Sequence, residues 1–152
     1  PYWEIFTPEN AFTPDDKEQL SEAITSIYVD YVNLPRFYVV VLFKDMPKET
    51  MYVGGKANNN FVRIRLDHIA RQMETAEVRA LMMTVAEEKL APFIKERGYD
   101  WEIHIAETPM DLWRTQGLVP PPPESDMEKL WAKENRPIPY DVAASKLAAA
   151  LE

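Results

Sequence analysis

The chain has 152 residues, 46% hydrophobic and 28% charged, with a formal net charge of −8, the balance of one soluble globular domain large enough to bury a core. The acidity argues against a nucleic-acid binder, which needs an excess of Lys and Arg against phosphate. The absence of cysteine removes disulfides, thiolate nucleophiles and Cys-ligated metals, and two histidines, His68 and His104, are too few for a His-rich metal site. No apolar run reaches the ~18–20 residues that cross a bilayer and no signal peptide is present, so the reading is cytoplasmic, with no membrane partner.

Pro1 precedes Tyr2-Trp3-Glu4-Ile5-Phe6-Thr7, which reads as a β-strand. As a terminus it carries a free secondary amine on a rigid element, and an α-amine has a reference pKa of ~7.7–8.0, more than two units below lysine. Apolar surroundings or a nearby cation lower it towards what a general base needs near neutral pH. The plain alternative is that Pro1 only follows a removed initiator Met or marks where a chain was cut. Thr13-Pro14-Asp15-Asp16 is a helix start, with Thr as cap, Pro at the first helical position and acids in the first turn. Leu20, Ala23, Ile24, Ile27 and Tyr31 then recur at helical spacing. Phe37 to Phe43 is β-branched and aromatic throughout and predicts a strand covered on both faces.

A turn-rich stretch with Gly54-Gly55 leads into Phe61–His68, where Phe61, Arg63, Arg65 and Asp67 alternate with Val62, Ile64, Leu66 and His68, a period of two with one apolar face. Thr75 opens a second helix carrying Val78, Leu81, Met82, Val85 and Leu90, with Gly98 as its C-cap. Trp101–Ile105 is a fourth strand. The order predicts an α+β fold: two successive β-α-β units forming a four-stranded sheet with helices on one face, plus a proline-rich C-terminal arm.

From Pro109 the character of the chain changes. Leu112-Trp113-Arg114 reads as a short helical turn, and Pro120–Pro123 is extended and stiff. Ser125 caps a short helix carrying Met127, Leu130 and Trp131. The expected division is a domain over 1–120, an arm over 121–145 packing on that domain or a neighbouring subunit, and a vector-derived linker over 146–152, whose Lys-Leu-Ala-Ala-Ala-Leu-Glu resembles a cloning-site remnant.

Pro1 on a strand, two β-α-β units, Leu-Ser-Glu-Ala-Ile-Thr over 20–25, Val53-Gly54-Gly55 and Glu107-Thr108-Pro109 together resemble the tautomerase superfamily, in particular its cis-chloroacrylic acid dehalogenase-like branch, over roughly Pro1–Pro120. The resemblance implies that Pro1 is the catalytic acid or base, that the chain assembles as a homotrimer, that no cofactor or metal is required, and that the substrate is a small carboxylate-bearing molecule. It puts Arg71 at the family's carboxylate-binding arginine, Glu74 where a second arginine stands, Tyr28 at a helix histidine, His104 at a strand tyrosine, and Thr115, beside Arg114, at a water-activating glutamate. Thr115 cannot take a proton from water at neutral pH, and one arginine holds a carboxylate less firmly than two. Dehalogenase or hydratase activity is therefore expected to be weak or absent.

What remains is a Pro1-dependent tautomerase or isomerase of a small enol or unsaturated keto acid, with Arg71, Tyr28, His104, Arg114 and Thr115 as substrate-binding candidates. Each has a bland alternative. Arg71 could be a solvated residue between strand and helix, His104 an exposed or interfacial histidine, Tyr28 a core tyrosine with its hydroxyl satisfied elsewhere, and Arg63, Arg65 and Asp67 a surface ion-pair ladder. His68 next to Asp67 is no dyad, because adjacent strand residues point to opposite faces. The rival function is a catalytically silent trimeric module for small-acid binding or assembly.

Overall fold

The computed structural model describes residues 1–151 and runs β1 (Tyr2–Pro8), α1 (Pro14–Val32), β2 (Val40–Met46), β3 (Tyr52–Val53), β4 (Lys56–Ala57), β5 (Phe61–His68), α2 (Ala76–Leu90), β6 (Asp100–Glu107), α3 (Asp126–Glu134) and α4 (Tyr140–Ala150). Four strands form one sheet in the order β2-β1-β5-β6. β1 is parallel to β2 and β5 to β6, the mark of two β-α-β units, and the units meet through the antiparallel pair β1 and β5. That antiparallel register sets Tyr2 opposite Asp67, so the head of β1 lies against the tail of β5. The α+β class, the four-stranded sheet and its helix-covered face are as the alternation predicts.

Trp3 and Ile5 from β1 and Val62, Ile64 and Leu66 from β5 are buried on one sheet face, in a core shared with Leu20, Ile24 and Ile27 of α1 and Val85 and Leu90 of α2. α1 starts where the sequence places it: Thr13 accepts from the Asp16 amide while Asp16 accepts from the Thr13 amide, a reciprocal capping box. Thr75 caps α2 through the Val78 amide. The β3–β4 hairpin turns through Gly54 and Gly55 at φ 60° and 83°, left-handed values that a side chain disfavours.

Three local expectations give way. Residues Arg36–Tyr38 form a single 3-10 turn, because Pro35 starts a tight turn in which Tyr38 and Val39 donate to the carbonyls of Pro35 and Arg36, and the strand begins only at Val40. β2 is also an edge strand with one face open, Val40 and Leu42 being 52% and 37% exposed, so it is not covered on both faces. α2 ends at Leu90, well short of Gly98, because Pro92 has no N–H to continue the ladder. Turns then carry the chain to Gly98 at φ 84°.

After β6 the chain makes a 3-10 turn at Met110–Leu112 and a Thr115–Leu118 bridge. Ser125 caps α3 through the Glu128 amide. Trp131 of α3, Ile138, and Ala143 of α4 are fully buried in the same core as the sheet, and the Trp131 indole donates to the Ile138 carbonyl at 3.1 Å. Residues 146–150 continue α4, while residue 152 of the expected 146–152 linker lies outside the described residues. Among the described residues no helix is long and apolar enough to cross a membrane, and no group of three or more His, Cys, Asp or Glu is placed to hold a metal ion.

Candidate active site

Alternation along β1 sends Pro1 to the same side as Trp3 and Ile5, under the helices. Its carbonyl accepts from the Val40 amide at 3.0 Å, which extends the strand pairing to the first residue and fixes the amine. The ring lines a cavity of about 140 Å³ between the C-terminal half of α1, the segment after β5 and one side of α2. Apolar side chains dominate it, among them Ile27, Val32, Leu81, Met82 and Val85. Burial strips water from the Pro1 ammonium and lowers its pKa from about 8.0 to about 5, against a smaller opposing pull from Asp67. The amine is thus a neutral base at neutral pH.

Tyr28 and His68 line the same cavity. Tyr28 lies on the buried stripe of α1 with Leu20, Ile24 and Ile27, and His68 on the buried face of β5 with Leu66. The Trp3 indole donates to the Tyr28 hydroxyl at 3.0 Å, and that hydroxyl shares a hydrogen bond with His68 Nε2 at 2.6 Å. Burial raises the Tyr28 pKa, the Trp3 hydrogen bond opposing, so the phenol keeps its proton. Burial, reinforced by the nearby Pro1 amine, lowers His68 to about 4, so the imidazole is neutral. With His68 accepting at Nε2, the Tyr28 proton lies between the two rings. With His68 donating from Nε2, the Tyr28 oxygen accepts twice and its own proton is free for a ligand in the cavity.

Arg71 is the only Lys, Arg, Asp or Glu side chain lining the cavity among the described residues. Its guanidinium is held in a two-pronged pair with Glu128 of α3, Nη2 to Oε1 at 2.6 Å and Nη1 to Oε2 at 3.1 Å. It is neither a solvated residue nor an unengaged one.

The remaining sequence candidates stand elsewhere. His104 pairs in register with Arg65, which alternates with the buried Leu66 and His68, so it belongs to the opposite sheet face. There Arg63 donates to its Nδ1 at 2.5 Å, within ion pairs of Arg63 with Glu102 and of Arg65 with Glu4 and Asp67. Arg114 and Thr115 follow the 3-10 turn after β6 and do not line the Pro1 cavity. The structure therefore gathers Pro1, Tyr28 and Arg71, and separates His104, Arg114 and Thr115 from them within one chain. The sequence reading passed over two members of the site. His68 has no local partner, and Glu128 lies 57 residues beyond Arg71; the one available signal was His68 on the apolar side of its strand.

Comparison with known proteins identifies the family and the fold. The chain is 99% identical to native RhCC from Rhodococcus jostii RHA1, over 92% of this chain and 100% of that one, with a TM-score of 0.91. It is 39% identical to a probable enzyme from the thermophilic fungus Aspergillus fumigatus, over 91% and 96% of the two chains, with a TM-score of 0.86. It shares the fold of N1, a member of the cis-3-chloroacrylic acid dehalogenase family, at 18% identity over 95% and 97%, with a TM-score of 0.73. The family model described as "Putative oxalocrotonate tautomerase enzyme" matches residues 1–136, and the chain belongs to that family, Tautomerase_3, within the tautomerase superfamily.

Proposed function

We propose that the protein is a cofactor-independent tautomerase in which Pro1 moves a proton on a small enol or unsaturated keto acid. The observation that carries this is the Pro1 amine, buried in an apolar cavity and neutral at pH 7 because its pKa is lowered to about 5. Neutral Pro1 takes the enol hydroxyl proton, the oxygen lone pair closes to a carbonyl, and the carbon–carbon double bond takes the proton back from the Pro1 ammonium. The apolar walls keep water from competing for that ammonium, whose acidity favours delivery to carbon. Tyr28, in the arrangement that leaves its proton free, donates to the carbonyl oxygen. Arg71 is the cation available to a substrate carboxylate, which must share it with Glu128.

We further propose assembly as a homotrimer, which the partly exposed Val40 and Leu42 on the open sheet face support. His104, Arg114 and Thr115 then serve a site only if an adjacent subunit presents them. The test follows phenylenolpyruvate ketonisation by ultraviolet absorbance in the intact protein and in Pro1→Ala. Turnover lost in the variant is expected. Equal rates, or none in either protein, would overturn the proposal in favour of a silent binding module.

A further inference from the structure

Glu128 is the one fully buried carboxylate among the described residues, its side chain 3% exposed. A carboxylate so buried is costly unless it is paired and hydrogen-bonded. Its Oε1 takes the 2.6 Å bond from Arg71 Nη2 and also accepts the Glu124 amide at 2.9 Å, while Oε2 takes Arg71 Nη1 at 3.1 Å. Its backbone is held independently, by the Ser125 cap and by the buried Trp131 one turn on. Glu128 is therefore fixed by α3 and does not merely drift onto a convenient cation.

From the side of Arg71 the accounting is nearly complete. Nη1 also donates to the Ala70 carbonyl at 3.0 Å, and Nη2 approaches the Val32 carbonyl at 3.5 Å. Of the five N–H donors of a guanidinium, that leaves chiefly Nε–H. A ligand carboxylate arriving from the Pro1 cavity meets a cation whose charge is balanced and whose fork is filled by another carboxylate. Among the described residues no further Lys or Arg lines the cavity to compensate.

We propose that Glu128 is a specificity-determining residue, an internal carboxylate that competes for Arg71 and removes the advantage a carboxylate ligand would otherwise have over its uncharged isostere in the Pro1 cavity. This rests on the Pro1 cavity being the substrate site. Glu128 acts through Arg71 and touches no substrate. Its effect is on the ratio between acid and neutral ligand, a quantity that general loss of stability leaves alone.

The test is calorimetric titration of the full chain with benzoate and benzamide, which share shape and differ in charge. The wild-type protein should bind the two within about threefold of each other. Glu128→Gln keeps the size but frees the guanidinium for a charge-assisted pair, so it should bind benzoate at least about tenfold more tightly, with benzamide unchanged. A wild-type preference for benzoate of tenfold or more overturns the proposal, and so does any Glu128→Gln protein in which benzoate is not strengthened. If Glu128→Gln does not fold, the charge-free pair Arg71→Gln/Glu128→Gln decides. Benzoate affinity within about threefold of wild type supports a neutralised Arg71, and a tenfold loss refutes it. These ratios are read by binding without turnover, whereas the catalytic reading is tested by ketonisation, so failure of the catalytic reading and failure of this one are seen separately.

Discussion

Acidification should single out the Pro1 amine from every other amine in the chain. With its pKa lowered to about 5, Pro1 is about 90% neutral at pH 6, whereas an amine at its ordinary 8.0 is about 1% neutral there, roughly a 90-fold difference in available base. A small electrophile such as methyl vinyl ketone reads this directly. The absence of cysteine removes the competing thiols. Alkylation of the N-terminal peptide, followed by mass spectrometry, should rise with a midpoint near pH 5 in the folded protein and near 8 in concentrated urea. The same shift is a statement about stability. Between pH 5 and 8 the unfolded chain holds a proton on Pro1 that the folded chain lacks, so stability rises with pH across that window and is flat below it. Three pKa units correspond to about 4 kcal/mol as a ceiling, measurable by urea unfolding at the two pH values. A common midpoint near 8 in folded and unfolded protein would refute the reasoning, because it would mean that water reaches the amine.

Asp67 favours the charged amine, so Asp67→Asn should move the alkylation midpoint below that of wild type. His68 is lowered to about 4 from the ordinary 6.5 by burial and the Pro1 amine; the unfolded chain takes up that proton first, so stability should fall as pH drops from 6.5 to 4, and His68→Gln should remove that part of the slope in urea titrations. Tyr28→Phe leaves the Trp3 indole and one His68 nitrogen without their partner, an expected loss of about 2–4 kcal/mol in urea unfolding, with slower ketonisation. Trp131→Ala empties a fully buried site between α3 and the core and should cost about 3–5 kcal/mol. Limited proteolysis should then cut within residues 121–139 before the sheet is attacked.

The sheet was readable because its two buried strands state their faces locally: Trp3 and Ile5 alternate with half-buried neighbours, and Val62, Ile64 and Leu66 alternate with Arg63, Arg65 and Asp67. The helix starts at Thr13, Thr75 and Ser125 were equally local, each being a side chain bonded to an amide three residues on. Pro35 and Pro92 shifted two element boundaries by steric effects that a hydrophobic pattern does not record. The site was less legible, because its contacts close over long loops. Tyr28 meets His68 across 40 residues and Arg71 meets Glu128 across 57. Periodicity can put each residue on a face but cannot name its partner. Arg71 and Tyr28 stand out through family resemblance, and the helix that occupies Arg71 is legible from Ser125, Leu130 and Trp131 while the surface it docks on is not.

The two β-α-β units are laid head to tail by the antiparallel pairing of β1 with β5, so the head of β5 occupies in the second unit the place that the head of β1 occupies in the first. The counterpart of Pro1 is Asn60, whose carbonyl accepts from the Asp100 amide at 3.0 Å as that of Pro1 accepts from Val40, and its nitrogen is a peptide amide following Asn59, with no lone pair available for basic chemistry. Joining two like units in one polypeptide therefore silences one of two related positions by the covalent bond that joins them. The chain has one basic position of this kind, and alkylation at pH 6 should map to the Pro1 peptide and leave the Asn60 peptide unmodified however symmetric the sheet.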